Sequence, residues 1–238
     1  KITMETSVQF TDGKINIHGN LISRGYPKKA DYMLHLSSNN PIAIVEAKDN
    51  NHTISHGLQQ AMTYAKTLDI PFAYSSNGEG FMEHDFFKGT ERQLSMSEFP
   101  TYEELLNRYK AEKNEGAGLS TTEEALLGQP YYTSANTFEP RYYQRIAINK
   151  TLEAIAKRQN RLLLAMATGT GKTYSAFQIV YRLLKSGLKR KVLYLADRNI
   201  LVDQSIQQDF APLGNIIHKI NLAKDDVTTI TSYEVYFS

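Results

Sequence analysis

The period of apolar and polar positions changes several times along the chain, and each change marks an element. Residues 30–36 and 42–48 carry short apolar runs separated by Ser37-Ser38-Asn39-Asn40-Pro41. They read as two strands of a hairpin, with Pro41 in the turn and outside the ladder because it lacks an N–H to donate. Leu58, Ala61, Met62, Ala65 and Leu68 then recur at helical spacing and predict a helix over 54–68 with one apolar stripe. Ile70-Pro71-Phe72-Ala73-Tyr74 returns to a short strand, Ser76-Asn77-Gly78 ends it, and Gly80-Phe81-Met82-Glu83 opens another. The predicted result is a first α/β unit over 1–109.

Past Pro100 a helix through Tyr109 runs into Lys110-Ala111-Glu112-Lys113-Asn114-Glu115-Gly116-Ala117-Gly118, polar and glycine-containing enough to be a linker. Ser120 and Glu123 suit the capping box of a further short helix closed by Gly128 and Pro130. A linker with a short helix is therefore expected over 110–137. The second unit, 138–238, begins at Phe138. Its pattern is helix 141–158, strand 161–166, helix 171–186, strand 190–196, helix 199–209 and a weaker strand at 227–231. Such alternation predicts a mostly parallel sheet.

Composition narrows the classes without choosing among them. With 41% apolar residues in 238, disorder throughout is excluded, while a net charge of +2 does not by itself announce a nucleic-acid binder. There is no cysteine, which removes disulfides and thiolate metal sites and is compatible with a reducing compartment. No window approaches the roughly 18 consecutive apolar residues of a membrane span, and the first residues lack the charged and apolar regions of a signal peptide. A cytoplasmic location without membrane contact is expected. The start at Lys1 and the end at Ser238 read as those of a piece of a longer protein.

Residues 166–173, Met-Ala-Thr-Gly-Thr-Gly-Lys-Thr, follow the apolar run Leu162-Leu163-Leu164-Ala165 and precede a helical pattern. This is the strand, glycine loop and helix order of a P-loop, with Met166 where the common pattern has glycine. Gly169, Thr170 and Gly171 bring backbone N–H groups toward phosphates. Lys172 reaches the terminal phosphates and Thr173 is placed to ligate Mg²⁺. ATP and Mg²⁺ are the cofactors this implies. Upstream, Gln144 in Arg141-Tyr142-Tyr143-Gln144 is either a solvated helix residue or a partner for adenine. Arg198, after Leu193 and Leu195, is either a solvated strand end or a contact to a nucleic-acid backbone. No Asp-Glu pair ends an apolar strand after the P-loop, so this stretch is expected to bind nucleotide weakly and hydrolyse it poorly.

A second constellation lies upstream. Period-two geometry puts Glu46 and Lys48 on the strand face of Ile42 and Ile44. If the preceding strand pairs as a hairpin, Asp31 lies near Glu46. Two carboxylates and a lysine then suit a Mg²⁺ site for phosphodiester hydrolysis, with the Ala47 carbonyl a further ligand. Gln60 and Tyr64 share a helix face, placed to contact phosphates or support the lysine. The alternative is a solvated Glu–Lys pair on an edge strand. His56 reads as a capping or surface residue.

Together, Ala30-Asp31-Tyr32, Ile44 through His52 with its Glu46-Ala47-Lys48, Gln59-Gln60-Ala61 through Tyr64-Ala65, and Ser75-Ser76-Asn77-Gly78 resemble the nuclease region of type I restriction-modification restriction subunits. Arg141 through Gln144, the P-loop with Met166, and Leu195 through Gln204 are similar to the translocase segments of the same family. The resemblance implies an α/β fold, with a PD-(D/E)xK nuclease-like domain followed by a partial RecA-like superfamily 2 helicase/translocase domain. It implies Asp31, Glu46, Lys48, Gln60 and Tyr64 as nuclease residues, with Asp31, Glu46, Ala47 and Thr173 toward metal. Gln144, Gly169, Thr170, Gly171, Lys172 and Thr173 are implied toward ATP. The implied function is Mg²⁺-dependent cutting of double-stranded DNA coupled to ATP-driven translocation, in a bacterial or archaeal cytoplasm, with methylation and specificity subunits as partners. The alternative is a helicase or repair translocase whose first domain only binds or docks. Later ATPase motifs and an N-terminal acidic residue of the family are expected to be missing here, and Glu5 is a poor substitute for the latter.

Overall fold

The computed structural model describes residues 2–4, 15–18, 21–24, 27–37, 40–113, 118–134, 139–221 and 223–238. Glu5 and Phe138 lie outside them. The chain separates into two compact units, Lys1–Ser120 with Arg141–Ile146, and Thr121–Pro140 with Ala147–Ser238.

In chain order the first unit contains β1 (Ile2–Met4), β2 (Ile15–His18), β3 (Leu21–Arg24), β4 (Tyr32–Ser37), β5 (Asn40–Ala47), α1 (Leu58–Leu68), β6 (Phe72–Ser76), β7 (Gly80–Asp85), β8 (Thr90–Ser95) and α2 (Tyr102–Glu112). Six strands form one sheet in the order β1-β4-β5-β6-β7-β8, and β2 pairs with β3 separately. β5 and β6 are parallel, joined through α1, and the other neighbours are antiparallel.

This topology covers both faces of β5, which explains why Ile42 through Glu46 are all buried and why the segment reads as a continuous apolar run. On one face Ile44 and Ala73 pack with Ala61, Tyr64, Ala65 and Leu68 of α1. Burial of Leu58 and Leu68 contributes roughly 2 kcal/mol each. On the other face lie Phe72 and Tyr74. The Arg108 guanidinium of α2 sits 4.4 Å from the Phe72 ring centre, and Tyr74 packs on Phe99. α2 opens with a reciprocal capping box, in which Thr101 accepts from the Glu104 N–H and Glu104 accepts from the Thr101 N–H. A buried charge network ties α2 to the sheet. Glu83 accepts from Arg92, Arg108 and the Tyr74 hydroxyl, and Asp85 accepts from Arg108.

Four details depart from the pattern reading. Pro41 lies inside β5, opposite His35 at an irregularity of the register; the β5–β6 ladder begins only at Ala43, so the missing N–H is not needed there. The helix starts at Leu58 rather than 54, because residues 54–57 form turns. β8 has no apolar pattern to announce it, Leu94 being its one buried residue. α2 continues through Glu112 into the expected linker.

The second unit contains α3 (Thr121–Gly128), the later part of α4 (Tyr142–Ala156), α5 (Lys172–Lys185), β9 (Val192–Tyr194), α6 (Asn199–Gln207), β10 (Ile217–Lys219), α7 (Val227–Thr231) and β11 (Val235–Phe237). Its sheet is parallel, in the order β10-β11-β9. Phe177 and Val180 of α5 pack on Val235, Phe237, Val202 and Phe210. Leu183 of α5 joins Leu126, Tyr131, Ile148 and Leu152. Two buried polar residues of α5 fasten the 126–132 segment. The Gln178 amide bonds the N–H and the carbonyl of Tyr132, and Arg182 donates to the Leu126 carbonyl and to Asn149.

Two expectations fail here. Residues 161–166 form no strand, and Leu163 is 93% exposed. None of the described strands pairs with them, and an isolated strand leaves its backbone groups without a ladder. Residues 227–231 are the helix α7, despite their β-branched composition. The strand lies later, at Val235–Phe237, whose β-branched and aromatic side chains are buried beside β9.

Candidate functional site

The carboxylates and the lysine meet where β4 begins and β5 ends. Tyr32 pairs with Val45, so Asp31 lies one step beyond the ladder, beside Glu46. Its Oδ2 accepts the Ala47 N–H at 2.8 Å. Glu46 points to the α1 face and is 1% exposed. Its Oε2 is 3.6 Å from Lys48 Nζ, while its Oε1 is buried with no hydrogen-bond partner. Burial first, and the Asp31 carboxylate second, push the Glu46 carboxyl up to about 7 against the opposing pull of Lys48.

α1 supplies the rest. Lys48 Nζ donates to Gln60 Oε1 at 3.2 Å, and Gln60 Nε2 donates to the Tyr64 hydroxyl at 3.0 Å. Lysine, amide and phenol thus form one chain, with Tyr64 held in the α1 core. Asp31, Glu46, Ala47, Lys48, Gln60 and Tyr64 are brought to one locality. His56 is exposed, its ring 4.2 Å from that of His52.

A divalent cation fits this donor set. The unpartnered Glu46 oxygen and the adjacent Asp31 carboxylate are hard oxygen ligands, and Mg²⁺ commonly takes one or two carboxylates and retains waters. Among the described residues no group of three or more His, Cys, Asp or Glu side chains could hold a metal, so the protein's share rests on this pair and nearby carbonyls.

Of two further residues in this locality, Gly57 escaped the pattern reading and Ser75 entered it only within the segment Ser75-Ser76-Asn77-Gly78 of the resemblance. Gly57 precedes α1, and its N–H donates to Ser75 Oγ at 3.0 Å. Ser75 is fully buried and lies beside Glu46 in the parallel ladder. Placing the helix start at 54 hides Gly57 in a helix interior. A glycine directly before the apolar stripe was the available signal.

In the second unit, Gly169 and Gly171 both have positive φ, 76° and 79°, the left-handed region that favours glycine. Gly171 is the N-cap of α5, so the loop turns directly into a helix N-terminus. Thr170 Oγ1 and Lys172 Nζ both donate to the Ala167 carbonyl, at 2.6 and 3.3 Å. Thr173 is half-buried in the first turn of α5. Gln144 belongs to the first unit by its contacts, and its Oε1 accepts the Arg141 N–H at 2.8 Å, which caps the start of α4. Arg198 is exposed beside Asp197, 3.9 Å away.

The chain's residues 3–100 match the family "Type I restriction enzyme R protein N terminus", and residues 137–238 match "Type III restriction enzyme, res subunit". It is 43% identical over 218 residues to the EcoAI endonuclease subunit of a type I restriction enzyme from Escherichia coli, covering 90% of this chain and 26% of that one. The EcoKI endonuclease subunit of E. coli strain K12 is 28% identical over 225 residues, covering 74% and 18%. A solved fragment from Vibrio vulnificus YJ016, assigned to the HsdR subunit of a type I restriction enzyme, superposes with a TM-score of 0.77 at 37% identity. That match covers 99% of this chain and 41% of the other. The chain therefore spans about a quarter or less of the length of these curated relatives.

These matches, one over each part of the chain, place the protein among restriction-enzyme subunits. More narrowly, it belongs to the type I restriction enzyme R-subunit family, of which it matches the N-terminal region. Among the described residues no helix is long and apolar enough to cross a membrane.

Proposed function

We propose that the first unit is a PD-(D/E)xK endonuclease centre and that the second is the nucleotide-binding part of a RecA-like DNA translocase. The chain then serves as part of a type I restriction subunit that cuts double-stranded DNA, driven by ATP and working with methylation and specificity subunits. The proposed boundaries are a nuclease over 1–109, a connector over 110–137 and the motor from 138. The observation that carries this reading is the buried, unpartnered Glu46 Oε1 beside Asp31 and Lys48.

Asp31 and Glu46 would hold Mg²⁺, with the Ala47 carbonyl toward the same ion. When bound, the ion supplies charge for the scissile phosphate and lowers the pKa of a water. Lys48 orients that water and offsets negative charge developing on phosphorus oxygens. Gln60 fixes the direction of the Lys48 ammonium, and Tyr64 fixes Gln60. In the motor, Gly169, Thr170 and Gly171 would present amides to phosphates, Lys172 would hold the terminal phosphates, and Thr173 would help to hold the nucleotide's Mg²⁺.

The test is a dissociation of two activities in the assembled enzyme. K48A lowers DNA cleavage by about 10²-fold or more while DNA-dependent ATP turnover persists. K172A stops ATP turnover, and with it cleavage. Cutting by K48A at the parental rate would remove the nuclease centre from these residues.

A further inference from the structure

We propose that Gly57 and Ser75 are positioning residues of this nuclease centre, setting how closely α1 approaches Glu46 and Lys48 and so whether Gln60 reaches the lysine. The inference rests on the nuclease reading above.

Gly57 has φ −86° and ψ −4°, a negative-φ turn conformation that most residues adopt, so the backbone does not require glycine there. The space does. A Cβ on Gly57 would lie 2.9 Å from Ser75 Oγ, 3.1 Å from Glu46 Cβ and 3.1 Å from Lys48 Cε. The helix start therefore packs against the two residues to which the chemistry is assigned, at a separation that any side chain would widen. Gly57 also makes no side-chain cap of its own. Its N–H, one of the donors a helix start leaves unpaired, is taken instead by Ser75 Oγ from the neighbouring strand. Ser75 is fully buried and in register with Glu46. One hydroxyl thus fastens the helix start to the sheet one strand away from the carboxylate.

From that anchor, Gln60 lies three residues along the helix and reaches Lys48 Nζ at 3.2 Å. This is the long end of a hydrogen bond, so a shift of α1 by a fraction of an ångström breaks it. Gly57 and Ser75 act through Gln60 and touch neither metal ligand oxygens nor substrate.

The experiment introduces G57A, S75A and Q60A, singly and as G57A/Q60A and S75A/Q60A, into the intact restriction subunit assembled with its partners. DNA cleavage is followed across a Mg²⁺ titration, with DNA-dependent ATP turnover as the control for assembly. G57A, S75A and Q60A are each expected to lower maximal cleavage by about tenfold, with the Mg²⁺ midpoint and ATP turnover unchanged. Each double variant should cut no more slowly than its Gly57 or Ser75 parent, because both changes disable one latch. S75A adds no atoms, so it carries the test if G57A fails to fold. Parental cleavage by G57A and S75A, factors that multiply with Q60A, or a shifted Mg²⁺ midpoint would each overturn the proposal. K48A in the same series keeps the two readings apart. Parental cutting by K48A sinks the nuclease reading, whereas its loss beside an unaffected G57A and S75A sinks only this one.

Discussion

Replacing Glu46 by glutamine should stabilise the first unit at alkaline pH while removing its cleavage activity. Burial and the Asp31 carboxylate raise the Glu46 pKa from 4.5 to about 7, so the folded state binds this proton more tightly than the unfolded chain does. The stability this contributes is fully present below pH 4.5 and is lost as pH rises through about 7. A shift of about 2.5 units corresponds to about 3 kcal/mol. E46Q keeps the group neutral at every pH and avoids that loss. It also removes the carboxylate partner of Lys48, 3.6 Å away, whose pull is already contained in the raised value of about 7. The gain above pH 8 is then about 3 kcal/mol, and near pH 4.5 parent and variant coincide.

Amide hydrogen exchange of peptides from β5 and β6, in chelator and without Mg²⁺, reads this locally. At pH 8.5 the variant's slowest amides should exchange about 10²-fold more slowly than the parent's at the same pH. Added Mg²⁺ should protect the parent and leave E46Q unchanged. An E46Q chain that exchanges faster than the parent at pH 8.5 would refute the claim that burial dominates this carboxyl, and with it the argument that the site favours a cation.

Other perturbations separate further parts of the structure. R108A strips Glu83 and Asp85 of their shared partner and should cost about 3–5 kcal/mol in the first unit, read by exchange in β7. Glu83 is held down to about 2, its own burial being outweighed by Arg108, Arg92 and Tyr74; its stabilisation is present above pH 4.5 and disappears as pH falls toward 2, a dependence R108A should flatten. G169A leaves the space around it open but imposes a left-handed conformation on alanine, costing about 1–2 kcal/mol; binding of a fluorescent ATP analogue should weaken about tenfold, and unchanged affinity would refute the strain argument. R182A should destabilise the second unit by about 3 kcal/mol by opening a cavity and unpairing the Leu126 carbonyl. R182M should cost less, because it fills the volume and ends the burial of a charge without an ion-pair partner among the described residues; equal losses in amide exchange of α5 would argue against this.

Much of the element order was legible because periodicity is imposed by burial. α1 shows its stripe, Leu58 to Leu68, because one face meets Ile44 and Ala73. α5 follows a glycine loop whose positive φ values local sequence can announce. Where burial does not constrain the sequence, the pattern is silent, as in β8, whose one buried residue is Leu94. Where pairing is decided at a distance, propensity misleads. Residues 161–166 look like a strand and find no ladder partner among the described strands, while Val227–Thr231 looks like a strand and is helical. The locality of Asp31, Glu46 and Lys48 was readable from a hairpin and a period of two. The closeness of Gly57 and Ser75 was not, because it depends on the α1 crossover bringing β6 beside β5.

The sheet of the first unit holds two glutamates, each ending a short apolar run and each about 1% exposed. Glu83 is given two guanidinium groups and a tyrosine hydroxyl, and both its oxygens are engaged. Burial then costs it little, and its pKa falls. Glu46 receives a lysine at 3.6 Å on one oxygen, nothing on the other, and a neighbouring carboxylate, so its pKa rises. A chain selected only to bury a carboxylate stably has the Glu83 solution within its own sheet. Keeping Glu46 under-satisfied beside Asp31, with a glycine letting the helix start pack closely against Glu46 and Lys48, makes sense when a further cation completes the set. The contrast between two equally buried carboxylates, rather than the presence of either, supports placing the chemistry at the end of β5.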